Sequence, residues 1–455
     1  MVKWMEENSA MQFKPVPLPD YHPTTEGVSI GRTLLTEEYD GRHLGPRIKD
    51  VRYVLQGLSV FGSMQADPSE LAYLTKPFTS FNNLSKCVHK LGRYAVDLLL
   101  YGKGVMMANG NALVGRLLHT CISENVELWK DSPAVRTILE DEKITGLLVS
   151  KGGEQNVKLG ARKGVVLATG GFGRSIEAQN FSPHIWSAQP RANVGDGKRM
   201  GFESGAIFPP QNPINGILAP ISLLHLKDQV RRYPHFAIDR SKPGSIIVGP
   251  NGRRFANESG PYQEFVSILH QRDIKEAWFI GDKTFLRKYG MGMALPWPYP
   301  KWRLLRQGYL VKASTISSLA EKINVPQSAL EKTVGECNAN ARKGIDPDFG
   351  RGGNIYDNFY GDPTVKPNPN MGQCVEPPFY AVKIHPGDVS TTWGMMVNED
   401  AQALDSAGNP IQGLYAVGND QNSVMRGQYP GGGSSIGPGM TFGYRAGMHL
   451  AGKTL

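Results

Sequence analysis

The sequence predicts an α/β fold, and three observations carry that expectation. Two apolar runs, Val165 to Gly173 and Leu414 to Asp420, read as buried strands that break at once into small-residue turns. Open α/β sheets place their ligands at such carboxyl ends of strands. The first run follows a meander of short strands, and the second precedes a helical stretch, Met440 to Ala451. Between them, Pro209 to Val375 changes character, with many prolines and aromatics and mixed helix and strand signals.

Taken in order, Pro15 to Gly31 is Pro-rich and Gly-punctuated, which predicts extended loop. Helical spacing appears at Leu71 to Leu74 and Leu91 to Tyr101, and again in Ala112, Leu113, Leu117, Leu118 and Ile122. Val126 to Trp129 reads as a short strand. Arg136 to Leu139, Ile144 to Val149 and Val157 to Leu159 read as the meander, turned at Glu140-Asp141-Glu142 and Lys151-Gly152-Gly153. Gly164 to Ala168 is the buried strand entering the first glycine turn. Ser317 to Ile323 and Gln327 to Asn338 predict helices. Strand pattern returns at Tyr380, and a hairpin leads to the strand Gly413 to Gly418.

Composition sets the class. The 455 residues are 40% hydrophobic and 20% charged, which excludes general disorder. That length suggests about three domains, or two with one enlarged, and needs no disulfide or metal staple. The 53 glycines and 32 prolines are too many for a helical bundle. The net charge of +9 is spread along the chain rather than gathered into a stripe, so a nucleic-acid partner is not expected. A mildly basic surface allows at most peripheral membrane association. Cysteines 87, 121, 337 and 374 share no metal or disulfide spacing, and a reducing cytoplasm fits them. The start has no apolar signal core, and no apolar run is long enough to span a bilayer.

Three constellations carry chemistry. The two strand ends bring Ala168-Thr169-Gly170-Gly171 and Asn419-Asp420 into play, with glycine admitting close backbone approach. Either alone is as well explained by an ordinary turn. The second constellation is Tyr429-Pro-Gly-Gly-Gly433-Ser434-Ser435-Ile436, whose N–H groups at a helix start suit a developing negative charge. Its prolines argue against a merely flexible loop. The third is Gly252 to Tyr262, expected as a hairpin turn at Pro250-Asn251-Gly252 followed by a strand and an acidic loop ending in Tyr262. A lone tyrosine is commonly a packing residue, and as an acid or base it needs help from its site.

Together ATGGFG, NVGDGKRMGFESGA, GRRFANESGPY, FYGDPTVKPNP and GLYAVGND…YPGGGSSIGPGMTFGYRAG resemble the FAD-dependent 3-ketosteroid dehydrogenases, within the fumarate reductase/succinate dehydrogenase flavoprotein superfamily. The resemblance covers essentially the whole chain. It implies a Rossmann-like FAD-binding domain over residues 1–220 and 386–455, interrupted by an α+β substrate cap over 221–385. The implied activity is 1,2-desaturation of a 3-ketosteroid, with electrons passed from the flavin to an external acceptor. By the resemblance, Tyr429 and Gly433 hold the ketone oxygen, a contribution of about 3 kcal/mol per donor. Tyr262 matches the residue that takes the C2 proton, and the C1 hydride goes to flavin N5. Ser434, Ser435 and Ile436 are implied to hold the flavin ring. Ala168, Thr169, Gly170, Gly171, Asp196, Asn419 and Asp420 are implied to hold ribityl or adenosine parts.

Two departures qualify it. The steroid branch usually reads Asp-Tyr-Tyr-Pro where this chain has Asp20-Tyr21-His22-Pro23, and the second tyrosine there assists the base. His22 either replaces it as a hydrogen-bond partner, marks a different substrate or desaturation position, or is an exposed turn residue. The superfamily also opens with a strand, a GxGxxG turn and a helix, which this sequence does not show. The expectation is a chain lacking its first βαβ unit, with a large apolar sheet face exposed. Two competing readings stand beside the dehydrogenase. A dicarboxylate or enoate reductase would carry an arginine at position 429, and Arg426 is three residues off that register. A remnant without a competent flavin site is the other. A nicotinamide-dependent enzyme is excluded by the absent fingerprint.

Overall fold

Asp141 and Glu142 both adopt left-handed φ, 49° and 61°, in the computed structural model. A two-residue hairpin matched to strand twist requires this of both central residues. The turn joins Ala134–Glu140 to Lys143–Lys151, and Gly152 and Gly153 then reverse the chain into Glu154–Gly160. The expected meander is therefore present. The structure describes residues 1–52, 54, 59, 61–67, 70, 73–74, 77–180, 183–212 and 214–453.

The chain forms two units, Met1–Pro17 with Gly31–Lys130, and Leu18–Ile30 with Asp131–Leu455. In the first, Phe13–Val16 pairs antiparallel with Thr33–Thr36, and Phe81–Tyr101 and Asn109–Ser123 are the main helices. Ser80 caps the longer helix by accepting from Asn83 N–H at 3.1 Å, and Gly102 ends it in the left-handed region. The helical pattern at Leu71 to Leu74 falls partly outside the described residues. Val126 to Trp129 is not a strand. The Val126 N–H is spent closing the preceding helix, donating to Cys121 O at 2.8 Å, so it is not available to a ladder.

The second unit holds the two main sheets. The meander continues through Pro410–Ala416, which runs parallel to both Lys143–Lys151 and Val165–Leu167 and antiparallel to Gln402–Leu404. Ile144, Val165, Leu167, Met200, Met395 and Leu414 form its core. The strand at 165 is shorter than expected, and Val166 on its outer face is 40% exposed. The last helix begins at Ile436 rather than Met440, because Gly437 and Pro438 fit its first turn.

The other large sheet is antiparallel, in the order Ser245–Val248, Ala277–Gly281, Phe379–Ile384, Leu310–Ala313. Side chains alternate across a strand, so each strand feeds two cores. Ile247, Phe279 and Val382 join Phe265 of the helix Tyr262–Gln271. Ile246, Val248, Ile280 and Ala381 meet Leu319 and Leu330 of the helices Ile316–Lys322 and Gln327–Lys343. Both helices were legible in the sequence.

The stretch after Pro250 departs from expectation. Gly252 turns the chain at φ 70°, but no strand follows, and Ser245–Val248 pairs with Ala277–Gly281 instead. The reason is ionic. Arg254 is drawn onto the fully buried Glu258 at 2.6 Å and onto Asp346 at 2.8 Å, and Arg351 reaches Glu258 at 3.4 Å. Arg240 adds bonds to the carbonyls of Glu258, at 2.5 Å, and Gly260, at 3.2 Å. These arginines fix the segment that delivers Tyr262.

Candidate active site

Asp420 ties the two strand-end turns together. Its carboxylate accepts from the Thr169 N–H, from Thr169 Oγ1 at 2.9 Å and from Gly171 N–H at 3.2 Å. Burial pushes this carboxyl above its usual range, and those three donors oppose the rise. Gly170 and Gly171 sit at φ 92° and 85°, where a side chain is strained, and a Cβ on Gly171 would collide with Thr391 Oγ1. Asn419 donates to Gly170 O at 3.3 Å. Asp196 opens the helix Asp196–Glu203, whose next residue, Gly197, packs directly against the Asp420 carboxylate. Ala168 is exposed just before the turn.

The glycine segment after Tyr429 meets this turn. Ser435 Oγ stands 3.4 Å from both Asn419 Oδ1 and Ser390 Oγ. Ser434 Oγ donates to Gly431 O at 2.7 Å, folding the loop on itself. Gly433 adopts φ 93°, and nothing lies within 4 Å of where its Cβ would be. Ile436 begins the last helix and is 54% exposed.

Tyr21, Tyr262 and Tyr429 converge. Ring centroids are 5.5 Å apart for Tyr21 and Tyr262, 5.5 Å for Tyr21 and Tyr429, and 5.6 Å for Tyr262 and Tyr429. The backbone assists, since Tyr21 N–H donates to Pro430 O at 2.9 Å. Burial, followed by the neighbouring phenols Tyr21 and Tyr429, pushes the Tyr262 hydroxyl well above its usual pKa. Tyr21 is raised as well, by burial and then by Tyr360 and Tyr429. His22 Nδ1 lies 2.8 Å from Glu264 Oε1.

Sequence reasoning missed Tyr356 and Tyr360, which extend the phenol cluster. Tyr356 is fully buried, 5.1 Å from both Tyr21 and Tyr360 by ring centroid. Their spacing of four on the helix Ile355–Tyr360, leading into the quoted FYGDP motif, was the available signal. Glu264, the partner of His22, carried no signal in the sequence.

The FAD binding domain family matches residues 1–436. The chain belongs to this family. Among its relatives, a 4-oxocyclohex-2-ene-1-carboxylate 5-dehydrogenase of Sinomonas cyclohexanicum is 36% identical, over 98% of this chain and 78% of the relative. A 3-oxosteroid 1-dehydrogenase of Mycolicibacterium smegmatis is 31% identical, over 99% and 81% respectively. The crystal structure of the 3-ketosteroid delta1-dehydrogenase from Sterolibacterium denitrificans, in complex with 1,4-androstadiene-3,17-dione, superposes with a TM-score of 0.91. It is 32% identical, covering 99% of this chain and 83% of that one. The protein is an FAD-dependent oxidoreductase similar to these dehydrogenases, with the α/β flavoprotein fold of that structure.

The residues of this flavoprotein fit its cofactor. Thr391 Oγ1 is buried beside Gly171 with no hydrogen-bond partner, ready for a polar group of the ligand. The Cβ-free faces of Gly433 and Gly437 look onto open space next to Ser434–Ile436. Among the described residues, no helix is long and apolar enough to cross a membrane, and no His, Cys, Asp and Glu cluster has metal-site geometry.

Proposed function

We propose that this dehydrogenase introduces a double bond beside the carbonyl of a cyclic ketone, with a 3-ketosteroid desaturated across C1–C2 as its substrate. The observation that carries the reading is the convergence of Tyr21, Tyr262 and Tyr429, ring centroid to ring centroid. The Tyr429 hydroxyl and the Gly433 N–H hold the ketone oxygen and stabilise the enolate that forms when C2 loses its proton. Tyr262, as phenolate, takes that proton, with the Tyr21 ring packed edge-on against it as its support. FAD held by these residues would supply the two-electron acceptor for the hydride of C1, with an external acceptor to reoxidise it. The substrate loses one proton and one hydride, and the C1–C2 double bond forms.

In this reading Ala168 to Gly171, Asp196, Asn419 and Asp420 hold the ribityl and adenosine parts, and Ser434 to Ile436 the ring. Residues 221–385 are the substrate cap, and 1–220 with 386–455 the flavin domain.

A second reading is favoured by the relative that acts on 4-oxocyclohex-2-ene-1-carboxylate, where the same ketone chemistry serves a small carboxylated ring. Against it, the phenols pack with Ile217, Ala219, Ala237 and Phe236, and His22 is already paired with Glu264. A fumarate or enoate reductase ranks lower, since a phenol at position 429 suits a neutral ketone rather than a carboxylate.

The test is turnover of the FAD-loaded protein with an artificial electron acceptor. A 3-ketosteroid saturated at C1–C2 and 4-oxocyclohexanecarboxylate are offered separately, and products are read by mass spectrometry. Loss of two hydrogens from the steroid alone supports the first reading, and from the small acid alone the second. A chain that takes up no FAD is the inactive fragment.

A further inference from the structure

A cavity of about 200 Å³ opens beside the parallel strands Trp186–Ser187 and Gly387–Thr391. Its lining includes Arg174, Ser175, His184, Trp186, Arg232 and Asp388, with Gly173 from the end of the first glycine run, and contains none of the phenols. A water molecule's share of liquid volume is about 30 Å³. The space therefore admits several waters or one small oxyanion.

The charges in this cavity do not balance. Arg174 and Arg232 line it, and Arg191 is near enough to both that the three repel one another. Burial first, and then this repulsion, lowers the pKa of Arg174 and Arg232, with Asp388 opposing the fall at Arg174 alone. Asp388 is the single lining carboxylate, and its oxygens are already engaged. They lie 2.8 Å from His184 Nε2, and accept from Ser187 Oγ at 2.6 Å and from Gln189 Nε2 at 2.8 Å. Among the described residues no ion pair reaches either arginine. His270, 3.2 Å from His184, is held down to about pKa 4 by burial, by His184 and by Lys275. It is thus neutral at physiological pH and adds no charge of its own.

Two polar atoms are also left over. Arg232 Nε and Ser175 Oγ are buried and have no hydrogen-bond partner among the described residues. Buried donors of this kind are costly unless something accepts from them. The Arg232 guanidinium lies over the Trp186 ring, 5.7 Å from its centroid, which fixes its orientation.

We propose that this cavity is an oxyanion-binding site that takes the carboxylate or phosphate group of a small acidic molecule, with Arg174 and Arg232 as charge partners and Ser175 as a hydrogen-bond donor. The inference does not rest on the proposed desaturation. An oxyanion in the cavity would face both lining guanidiniums and relieve the repulsion among the three.

The test is calorimetric titration with inorganic phosphate and with acetate, against chloride at matched ionic strength, with and without saturating FAD. The expected result is saturable, one-to-one binding of at least one oxyanion that chloride does not reproduce and FAD does not displace. The two oxyanions identify which group the site prefers. Arg232→Gln is expected to weaken it by about tenfold to a hundredfold, the usual range for a charged hydrogen bond. Ser175→Ala, which leaves every charge in place, is expected to weaken it several-fold and covers the case in which the arginine variant fails to fold. Binding no stronger than that of chloride, or unchanged in a folded Arg232→Gln protein, overturns the proposal. Displacement by FAD also overturns it, since the cavity would then belong to the cofactor site.

Discussion

The ring of Tyr21 stands edge-on to that of Tyr262, with centroids 5.5 Å apart and planes at 80°. The two residues are far apart in sequence, and the packing leaves their hydroxyls in one phenolic cluster with Tyr429. If Tyr262 is the base and Tyr21 its support, the two must differ in their effects. Tyr262→Phe is expected to slow substrate-driven flavin reduction by about a hundredfold to ten-thousandfold. Tyr21→Phe is expected to slow it less, and both variants are expected to keep their FAD. Single-turnover absorbance at the flavin band measures each.

The pH profile follows from the same burial. Burial and the neighbouring phenols raise the Tyr262 pKa, so the neutral phenol dominates at neutral pH and the phenolate grows as pH rises. The logarithm of kcat/KM is therefore expected to climb with pH up to about 10, the ordinary tyrosine value, without levelling off. A plateau already reached near neutrality would identify a different base.

Much of this arrangement was legible in the sequence, and what was not has physical reasons. Hairpin chemistry is local, so Glu140 to Lys143 and Lys151 to Glu154 announced the meander. The glycine turns at 170–171 and 433 were visible because only glycine tolerates their φ values. The ion pairs of Arg254 were not visible. They reach Asp346, nearly a hundred positions away, and it is they that replace the expected strand after Gly252. Val126 to Trp129 misled because its alternation imitates a strand while its first amide closes a helix. His22 was singled out, but its partner Glu264 lies on a different element, and sequence spacing does not reveal such pairs.

Asp420 offers a third expectation. Its carboxylate is buried and receives two N–H groups and one hydroxyl from the first glycine turn. Asp420→Ala leaves those donors without an acceptor, at about 1–3 kcal/mol for each buried group. The variant is expected to unfold at lower denaturant concentration and to lose FAD on gel filtration. Retention of full flavin would show that Asp420 serves the fold alone.

Glu258 gives a fourth. It is fully buried, and Arg254 and Arg351 hold its carboxyl below the usual range, against the upward push of burial. Glu258→Gln removes the charge that both guanidiniums face. Breaking a buried pair of this kind costs about 3–5 kcal/mol. The carbonyls of Glu258 and Gly260 stay on Arg240, but the segment leading to Tyr262 loses its ionic anchor. Equilibrium denaturation is expected to show the loss, together with slower flavin reduction.

The central claim is that this chain oxidises a cyclic ketone beside its carbonyl with FAD as the acceptor. Anaerobic mixing of the FAD-loaded protein with a 3-ketosteroid saturated at C1–C2 tests it most directly. The account predicts bleaching of the oxidised flavin band with formation of one equivalent of the 1,2-desaturated product, and no bleaching in Tyr262→Phe on the same timescale. A flavin that is bound yet stays oxidised with every cyclic ketone offered, or that Tyr262→Phe reduces as fast as the parent protein does, contradicts it.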